Sequence, residues 1–234
     1  MNKKKKLITV YLLANFPNKK KFYAVLDEIK KAKIDYLELG IPCKNPFMDG
    51  EIISNAHKLV ANSGFTENDL KEIFVYIKEN MPEIKLIVMT YKDGISTYNL
   101  YNYKNYYDGI LCPETFINDN TVNRIQIYNE KLTEDEIKER LKYNKVFAYV
   151  MTGVMKTGNK CEIPKSYLKT IEKIKKYSDI LIQVGFGIST PQDVKMISES
   201  KTDGIIIGSE LMKRVENDSL DDICDYLTSI NSVL

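Results

Sequence analysis

The chain has 234 residues, 44% of them hydrophobic, enough to fill one large core, and we expect a single domain over residues 1–234. The 34 Lys and Arg nearly balance the 32 Asp and Glu, so there is no electrostatic case for binding nucleic acid or an anionic membrane. No apolar stretch approaches the ~18 to 20 residues of a membrane span, and the four cysteines lack metal-ligand spacing, so we expect a cytoplasmic protein.

Short apolar runs alternate with amphipathic segments along the whole chain. The predicted strands are Leu7–Leu13, Tyr36–Leu39, Ile84–Thr90, Asp108–Leu111, Asn123–Ile127, Val146–Val150, Ile180–Val184 and Gly204–Ile207. The predicted helices are Lys20–Lys31, Glu51–Val60, Glu67–Glu79, Glu134–Lys142, Ser166–Tyr177, Pro191–Ser198 and Ser209–Val215. Strands that are apolar on both faces and are separated by helices favour a parallel sheet. Eight such strand–helix units predict an α/β fold of the (βα)8 barrel type. A doubly wound open sheet is the alternative.

Local signals support several helix starts. Thr66 and Thr133 have N-cap character, and Pro191 follows Thr190 at a first helical position. Between Tyr98 and Tyr107, which is rich in Tyr and Asn, strand and helix patterns compete.

Two acidic residues bracket a Gly- and Pro-containing turn after the second predicted strand. Glu38 lies near the end of that strand, where an ionised carboxylate is costly unless function requires it. Asp49 follows in the next loop, which we expect to be hydrated. A carboxyl among apolar neighbours gains proton affinity and can act as a general acid and base, while a hydrated carboxylate stays ionised. Asp49-Gly50 could also be an ordinary turn.

Glycines follow the last two predicted strands, in Gly185-Phe186-Gly187-Ile188-Ser189 and in Gly208-Ser209. Barrel enzymes commonly bind phosphate with these loops and a helix N-terminus. Glycine lets main-chain N–H groups approach an anion, and the helix dipole adds positive potential. We therefore predict a phosphate site, although each loop alone could be only a tight turn.

These motifs together resemble the tryptophan synthase alpha subunit family. The resemblance runs from about Tyr11 to Val215, and its segments, in chain order, are Leu37–Pro42 with Pro46 and Asp49-Gly50, Met89-Thr90-Tyr91, Asp108–Leu111 with Pro113, Tyr149, Thr157-Gly158, Gly185–Ser189 and Gly208-Ser209. An ordered set across most of the chain is far more specific than any one glycine motif.

The resemblance implies a carbon–carbon lyase that cleaves indole-3-glycerol phosphate by a retro-aldol reaction to indole and glyceraldehyde 3-phosphate. Glu38 then corresponds to the general acid and base, and Asp49 to the carboxylate that binds the indole N–H. The substrate and phosphate contacts would be Tyr91, Tyr149, Thr157, Gly158, Gly187, Gly208 and Ser209. The resemblance implies no metal and no cofactor in this chain, and a beta subunit partner that carries pyridoxal phosphate in an α2β2 complex.

The chain departs from the family pattern in several loops, at Leu13–Pro17, Lys44-Asn45, Asp93, Glu114 and Gly153–Lys156. Two other functions therefore stay open: a weakly catalytic alpha-like subunit that mainly binds and activates a beta subunit, and another phosphate-binding barrel lyase or isomerase. His57, the one histidine, cannot form a multi-histidine metal site. It lies in the helical stretch Asn55–Val60 and is predicted to be a solvated surface residue.

Overall fold

The computed structural model describes residues 5–116, 120–153 and 164–234. Its strands are β1 (Leu7–Leu13), β2 (Tyr36–Gly40), β3 (Lys85–Met89), β4 (Gly109–Leu111), β5 (Arg124–Tyr128), β6 (Asn144–Met151), β7 (Ile182–Gly185) and β8 (Gly204–Ile207). Its helices are α1 (Lys19–Lys31), α2 (Glu51–Asn62), α3 (Glu67–Asn80), α4 (Lys92–Thr97), α5 (Glu134–Tyr143), α6 (Ser166–Tyr177), α7 (Pro191–Ser198), α8 (Ser209–Asn217) and α9 (Leu220–Ser232), with a 3₁₀ turn at Leu100–Tyr103.

The eight strands form one closed parallel barrel in sequence order. β1 pairs with β2 on one side, where Tyr11 is opposite Glu38, and with β8 on the other, where Ile8 is opposite Ile205. This closure confirms the predicted (βα)8 barrel and excludes the open sheet. Because every strand runs the same way, all eight C-terminal ends meet at one mouth.

The strands are buried because helices cover the outside and side chains fill the inside. In β1 every residue after Leu7 is buried, and in β8 all four residues are buried. Burying one Ile or Leu side chain contributes about 1.5 to 3 kcal/mol. Continuous apolar runs such as Gly204-Ile205-Ile206-Ile207 therefore suit a strand with no solvent-facing side.

Helix starts follow the local chemistry of the chain. Thr66, Thr133 and Thr190 each accept a hydrogen bond from the backbone of the third helical residue, in capping boxes of α3, α5 and α7. Ser219 does the same for α9, a helix that the sequence analysis did not predict. Between Tyr98 and Tyr107, where strand and helix patterns compete, Tyr98 is the C-cap of α4, another helix that the sequence analysis did not predict, and Leu100–Tyr103 form the 3₁₀ turn.

Helix α9 packs against α1 and α8 on the outside of the barrel. Its buried face carries Ile223, Tyr226, Leu227 and Ile230, and Asn231 donates a side-chain hydrogen bond of 2.7 Å to the carbonyl oxygen of Ala32. The C-terminal helix thus fixes the end of α1. Among the described residues, no helix has the length and apolar character needed to cross a membrane.

Candidate active site

A partly open cavity lies at the C-terminal mouth of the barrel. Its apolar lining comes from the ends of several strands and the loops after them: Met48, Ile53, Met89, Leu111, Pro113, Ile127 and Phe186. Its polar lining consists of Tyr11, Glu38, Asp49, Tyr91 and Tyr149, and Gly208 borders it. An aromatic and aliphatic cavity with a few polar groups suits a small ligand that has an apolar ring.

Glu38 projects from β2 into this cavity and is only 4% exposed. Its Oε1 atom is buried with no hydrogen-bond partner among the described residues. Burial, reinforced by the negative charge of Asp49, raises the pKa of Glu38 to about 8. The side chain is therefore mostly protonated at neutral pH and can donate a proton.

Asp49 lies in the loop between β2 and α2 and also lines the cavity. The expectation of a hydrated loop position was wrong, because Asp49 is 7% exposed. Tyr91 covers it and donates a hydrogen bond of 3.0 Å to Oδ2. Burial raises the pKa of Asp49 to about 6, against the opposing effect of the Tyr91 hydrogen bond. Asp49 is thus still mainly ionised at neutral pH, as expected, and the Tyr91 hydrogen bond stabilises its carboxylate.

Tyr91 directly follows β3 as the N-cap residue of α4 and is fully buried. Besides donating to Asp49, its hydroxyl oxygen accepts a hydrogen bond of 3.2 Å from the backbone N–H of Met48. It therefore holds the loop after β2 as well as the carboxylate. We call Glu38, Asp49 and Tyr91 the acid wall.

Tyr149 from β6 lies on the opposite side of the barrel from β2 and is 7% exposed. Its ring packs edge-on against Phe186 with centroids 5.8 Å apart. A Cβ atom added to Gly185 would lie 2.5 Å from the Tyr149 hydroxyl, so the ring needs the glycine on β7. Tyr149, the predicted aromatic substrate contact, therefore lines the cavity.

Gly208 and Ser209 stand at the start of α8, and Gly208 borders the cavity. The first amides of a helix have no partner within the helix and favour an anion. Gly187 is exposed and has a φ of 71°, a conformation that glycine adopts without strain. We call Gly187, Gly208 and Ser209 the glycine wall. Thr157 and Gly158, the other predicted phosphate contacts, lie outside the described residues.

His57 was predicted to be solvated, and this was wrong: it is 0% exposed. It lies on the same face of α2 as the buried residues Ile53, Ala56 and Val60, a helical spacing visible in the sequence. Its Nδ1 accepts a hydrogen bond of 3.1 Å from the backbone N–H of Cys43. Its Nε2 lies 3.3 Å from the hydroxyl of Tyr11. Burial lowers the pKa of His57 to about 4, so the ring is neutral at pH 7.

Tyr11 is a lining residue that the sequence analysis did not single out. The only signal for it was one aromatic side chain with a polar tip inside an aliphatic strand.

Two departures from the family pattern contact each other across neighbouring loops. The backbone N–H of Lys44 donates a hydrogen bond of 2.7 Å to Oδ2 of Asp93. Glu114 accepts a hydrogen bond of 3.2 Å from the backbone N–H of Lys92, beside Asp93. The loop after β2 is therefore tied to the start of α4 by the hydrogen bond between Lys44 and Asp93.

The fold and the cavity together define the class of the protein: a (βα)8 barrel with ionisable and aromatic side chains gathered at the C-terminal strand ends, where barrel enzymes have their active sites. The sequence model of the family described as tryptophan synthase alpha chain matches residues 1–230. The chain therefore belongs to that family.

Individual relatives agree with this assignment. The chain is 30% identical over 237 residues to the tryptophan synthase alpha chain of Petrotoga mobilis, covering 94% of this chain and 90% of the relative. It is 32% identical over 217 residues to that of Staphylococcus epidermidis, covering 86% and 88%. The structure of tryptophan synthase subunit alpha from Campylobacter jejuni gives a TM-score of 0.82 at 25% identity, covering 97% of this chain and 96% of that one. A Mycobacterium tuberculosis tryptophan synthase structure gives 0.87 at 19% identity, covering 98% and 92%, a likeness of fold.

Proposed function

We propose that this chain cleaves indole-3-glycerol phosphate to indole and glyceraldehyde 3-phosphate by a retro-aldol reaction. The observation that carries the proposal is the acid wall: a buried, mostly protonated Glu38 beside an ionised Asp49 in one aromatic cavity. Family membership and the names of the relatives point to the same reaction.

In the proposed reaction Glu38 first gives its proton to the indole carbon that bears the side chain. The ring then carries positive charge at its nitrogen, which the Asp49 carboxylate stabilises. An ionised group held by a fixed donor in a dry cavity stabilises developing charge with little reorganisation, and the Tyr91 hydrogen bond supplies that donor.

The Glu38 carboxylate next takes the proton of the side-chain hydroxyl. The carbon–carbon bond breaks, its electron pair returns to the ring, and the carbon that bore the hydroxyl becomes the aldehyde of glyceraldehyde 3-phosphate. Glu38 ends the cycle protonated, as it began. Because the protonated ring accepts the electrons, the proposed reaction uses no cofactor in this chain.

The phosphate would lie at the glycine wall. The start of α8 offers main-chain amides and the positive end of a helix dipole next to Gly208. The amides of Ser189 and Thr190 are unavailable, because both donate to Oδ2 of Asp193. Gly187, Gly208 and Ser209 are therefore the proposed phosphate contacts among the described residues, with Thr157 and Gly158 proposed from the sequence.

We also propose that the chain works with a beta subunit that carries pyridoxal phosphate. Support comes from family membership and from the likeness to tryptophan synthase structures. The test is to mix the chain with a beta subunit, measure complex formation by light scattering, and compare indole release with and without the partner. Stimulation of the beta reaction by a chain that releases no indole itself would favour a role as an activator instead.

The test of the main proposal is release of indole from indole-3-glycerol phosphate by the purified chain. The expected result is turnover that phosphate-bearing indole analogues inhibit competitively. No indole release, either alone or with a beta subunit, would overturn the proposal. Cleavage of a different sugar phosphate in its place would identify another barrel lyase or isomerase.

A further inference from the structure

The Tyr11 ring extends from the glycine wall to the acid wall along the cavity. Its Cβ lies 3.7 Å from the position that a Cβ on Gly208 would take. Its hydroxyl lies 2.2 Å from where a Cβ on Gly40 would stand, so the ring crosses over β2 at that glycine. Tyr11 is also the register partner of Glu38 across β1 and β2. The Tyr11 hydroxyl therefore lies over β2, the strand that carries Glu38.

His57 determines which way the Tyr11 hydroxyl proton faces. A backbone N–H can only donate, so the Cys43 N–H makes Nδ1 of His57 an acceptor. The neutral ring then carries its proton on Nε2, which faces the Tyr11 oxygen at 3.3 Å. That oxygen accepts from His57, and its own proton must turn elsewhere. Within residues 5–116, 120–153 and 164–234, no acceptor lies within hydrogen-bond distance of it.

Glu38 presents the complementary need. Its Oε1 is a buried oxygen without a donor in the described part of the chain. A buried polar group without a hydrogen-bond partner is costly, and in native proteins such a group often marks a catalytic role. Tyr11 and Glu38 both line the cavity. They bring to it one hydroxyl without an acceptor and, once Glu38 has given its proton to the ring, one carboxylate without a donor. An alcohol hydroxyl, which accepts one hydrogen bond and donates another, fits this pair.

We propose that Tyr11 and Glu38 together bind the substrate hydroxyl whose proton is transferred, with Tyr11 donating to its oxygen, Glu38 accepting its proton, and His57 acting as the positioning residue that orients Tyr11. The proposal rests on the proposed function and adds a further substrate-binding residue to it. The Tyr11 hydrogen bond orients the hydroxyl toward Glu38 and supports the negative charge that develops on its oxygen as the proton leaves.

The first test is Tyr11→Phe, which keeps the ring and removes the hydroxyl. We expect kcat/KM for indole-3-glycerol phosphate to fall by about 10-fold, the value of one hydrogen bond of about 1.4 kcal/mol. The inhibition constant of an indole-alkyl phosphate that lacks the hydroxyl should change less than about 2-fold, since that ligand cannot use the hydrogen bond. Tyr107→Phe is the matched control, because its buried hydroxyl donates to the carbonyl oxygen of Leu100 instead.

Two results would overturn the proposal while the wild type still cleaves substrate: unchanged kcat/KM in Tyr11→Phe, or equal losses for both ligands, which would indicate a packing role. Absence of cleavage by the wild type would instead refute the proposed function. The two failures are therefore distinguishable.

The role of His57 is tested by His57→Leu and His57→Gln. The leucine removes the N–H donor and should reproduce the ligand-specific loss of Tyr11→Phe. Glutamine offers an N–H donor and should recover part of it. In the Tyr11→Phe background, His57→Leu should add no further ligand-specific loss, and additive losses would refute the positioning role.

A structural test does not depend on the folding of these variants. Crystals of Asp49→Asn soaked with indole-3-glycerol phosphate should place a substrate hydroxyl oxygen within about 3.2 Å of the Tyr11 oxygen. A separation beyond about 3.5 Å from every substrate oxygen would contradict the proposal.

Discussion

The acid wall lines the cavity with side chains, whereas the glycine wall, of which Gly208 borders the same cavity, consists of main-chain groups. The acid wall uses side chains that are nearly buried, with Glu38 4% and Asp49 7% exposed. The glycine wall uses main-chain groups, and its Gly187 is exposed. The two walls therefore suit different tasks. Proton transfer requires a dry site with shifted pKa values, whereas anion binding needs only converging amides.

The largest expected effect comes from breaking the acid wall at Glu38. Glu38→Gln keeps the shape and removes the transferable proton, so kcat should fall by about 10³-fold, within the range for general acid and base catalysis. Steady-state indole release measures this. Glu28→Gln is the control, a similarly buried glutamate on α1 whose partner is Lys31 at 2.6 Å. Appreciable turnover in Glu38→Gln would refute the assigned role.

Asp49→Asn should have the next largest effect and lower kcat by about 10²-fold, because a charge-stabilising partner is lost. Asp35→Asn serves as its control, since Asp35 caps the backbone N–H of Ile8 at the opposite end of the barrel. If both variants lost activity equally, the loss would reflect stability, and the role of Asp49 would fail.

The pH dependence of activity tests the roles of the two carboxyl groups of the acid wall. Activity needs protonated Glu38, whose pKa is about 8, and ionised Asp49, whose pKa is about 6. A plot of kcat/KM against pH should therefore be bell-shaped and fall below about 6 and above about 8. Loss of the acidic limb in Asp49→Asn would support this assignment, and its persistence would contradict it.

The raised pKa of Glu38 also affects stability. The folded state binds the proton more tightly than the unfolded chain, so this contribution is complete below the unfolded pKa and is lost as pH rises through about 8. Glu38→Gln should then be more stable than the wild type at pH 9, by roughly 1 to 3 kcal/mol. Urea unfolding at pH 5 and pH 9 measures it, and an equal difference at both pH values would refute the linkage.

The smallest effect should come from the glycine wall. Gly187→Ala places a side chain at a φ of 71°, which costs about 1 kcal/mol of stability, and it obstructs the approach of phosphate, so KM should rise about 5-fold. Gly64→Ala is matched, because Gly64 has a φ of 80° and equally open surroundings. It should lose similar stability with unchanged KM. Equal KM values in the two variants would remove Gly187 from the phosphate site.

Much of the fold could be predicted because a parallel barrel has strong local signals. All eight strands were predicted to within a few residues of their observed bounds, because a short continuous apolar run such as Leu7–Leu13 is typical of a buried parallel strand. Helix α9 was missed although Ser219 and Asp222 form a capping motif and Ile223, Leu227 and Ile230 repeat at helical spacing. The signal for α9 is therefore present in the sequence.

The site was predictable only in part. Glu38 stood out because an ionisable residue in a buried strand is rare. The burial of Asp49 was not predictable, because it depends on Tyr91, 42 positions further along the chain. The burial of His57 was signalled by its helix face, but its pairing with Tyr11 arises only when β1 and α2 meet across Gly40.

The clearance at Gly40 has a consequence for directed evolution of this barrel. Even a methyl group there would collide with the Tyr11 hydroxyl at 2.2 Å, so no larger amino acid at position 40 can be accepted while the phenol keeps its place. Random libraries should recover such replacements only in clones that also carry a shorter residue at position 11. Saturating the two codons jointly would open a route to new ligands that single-site scanning never reaches.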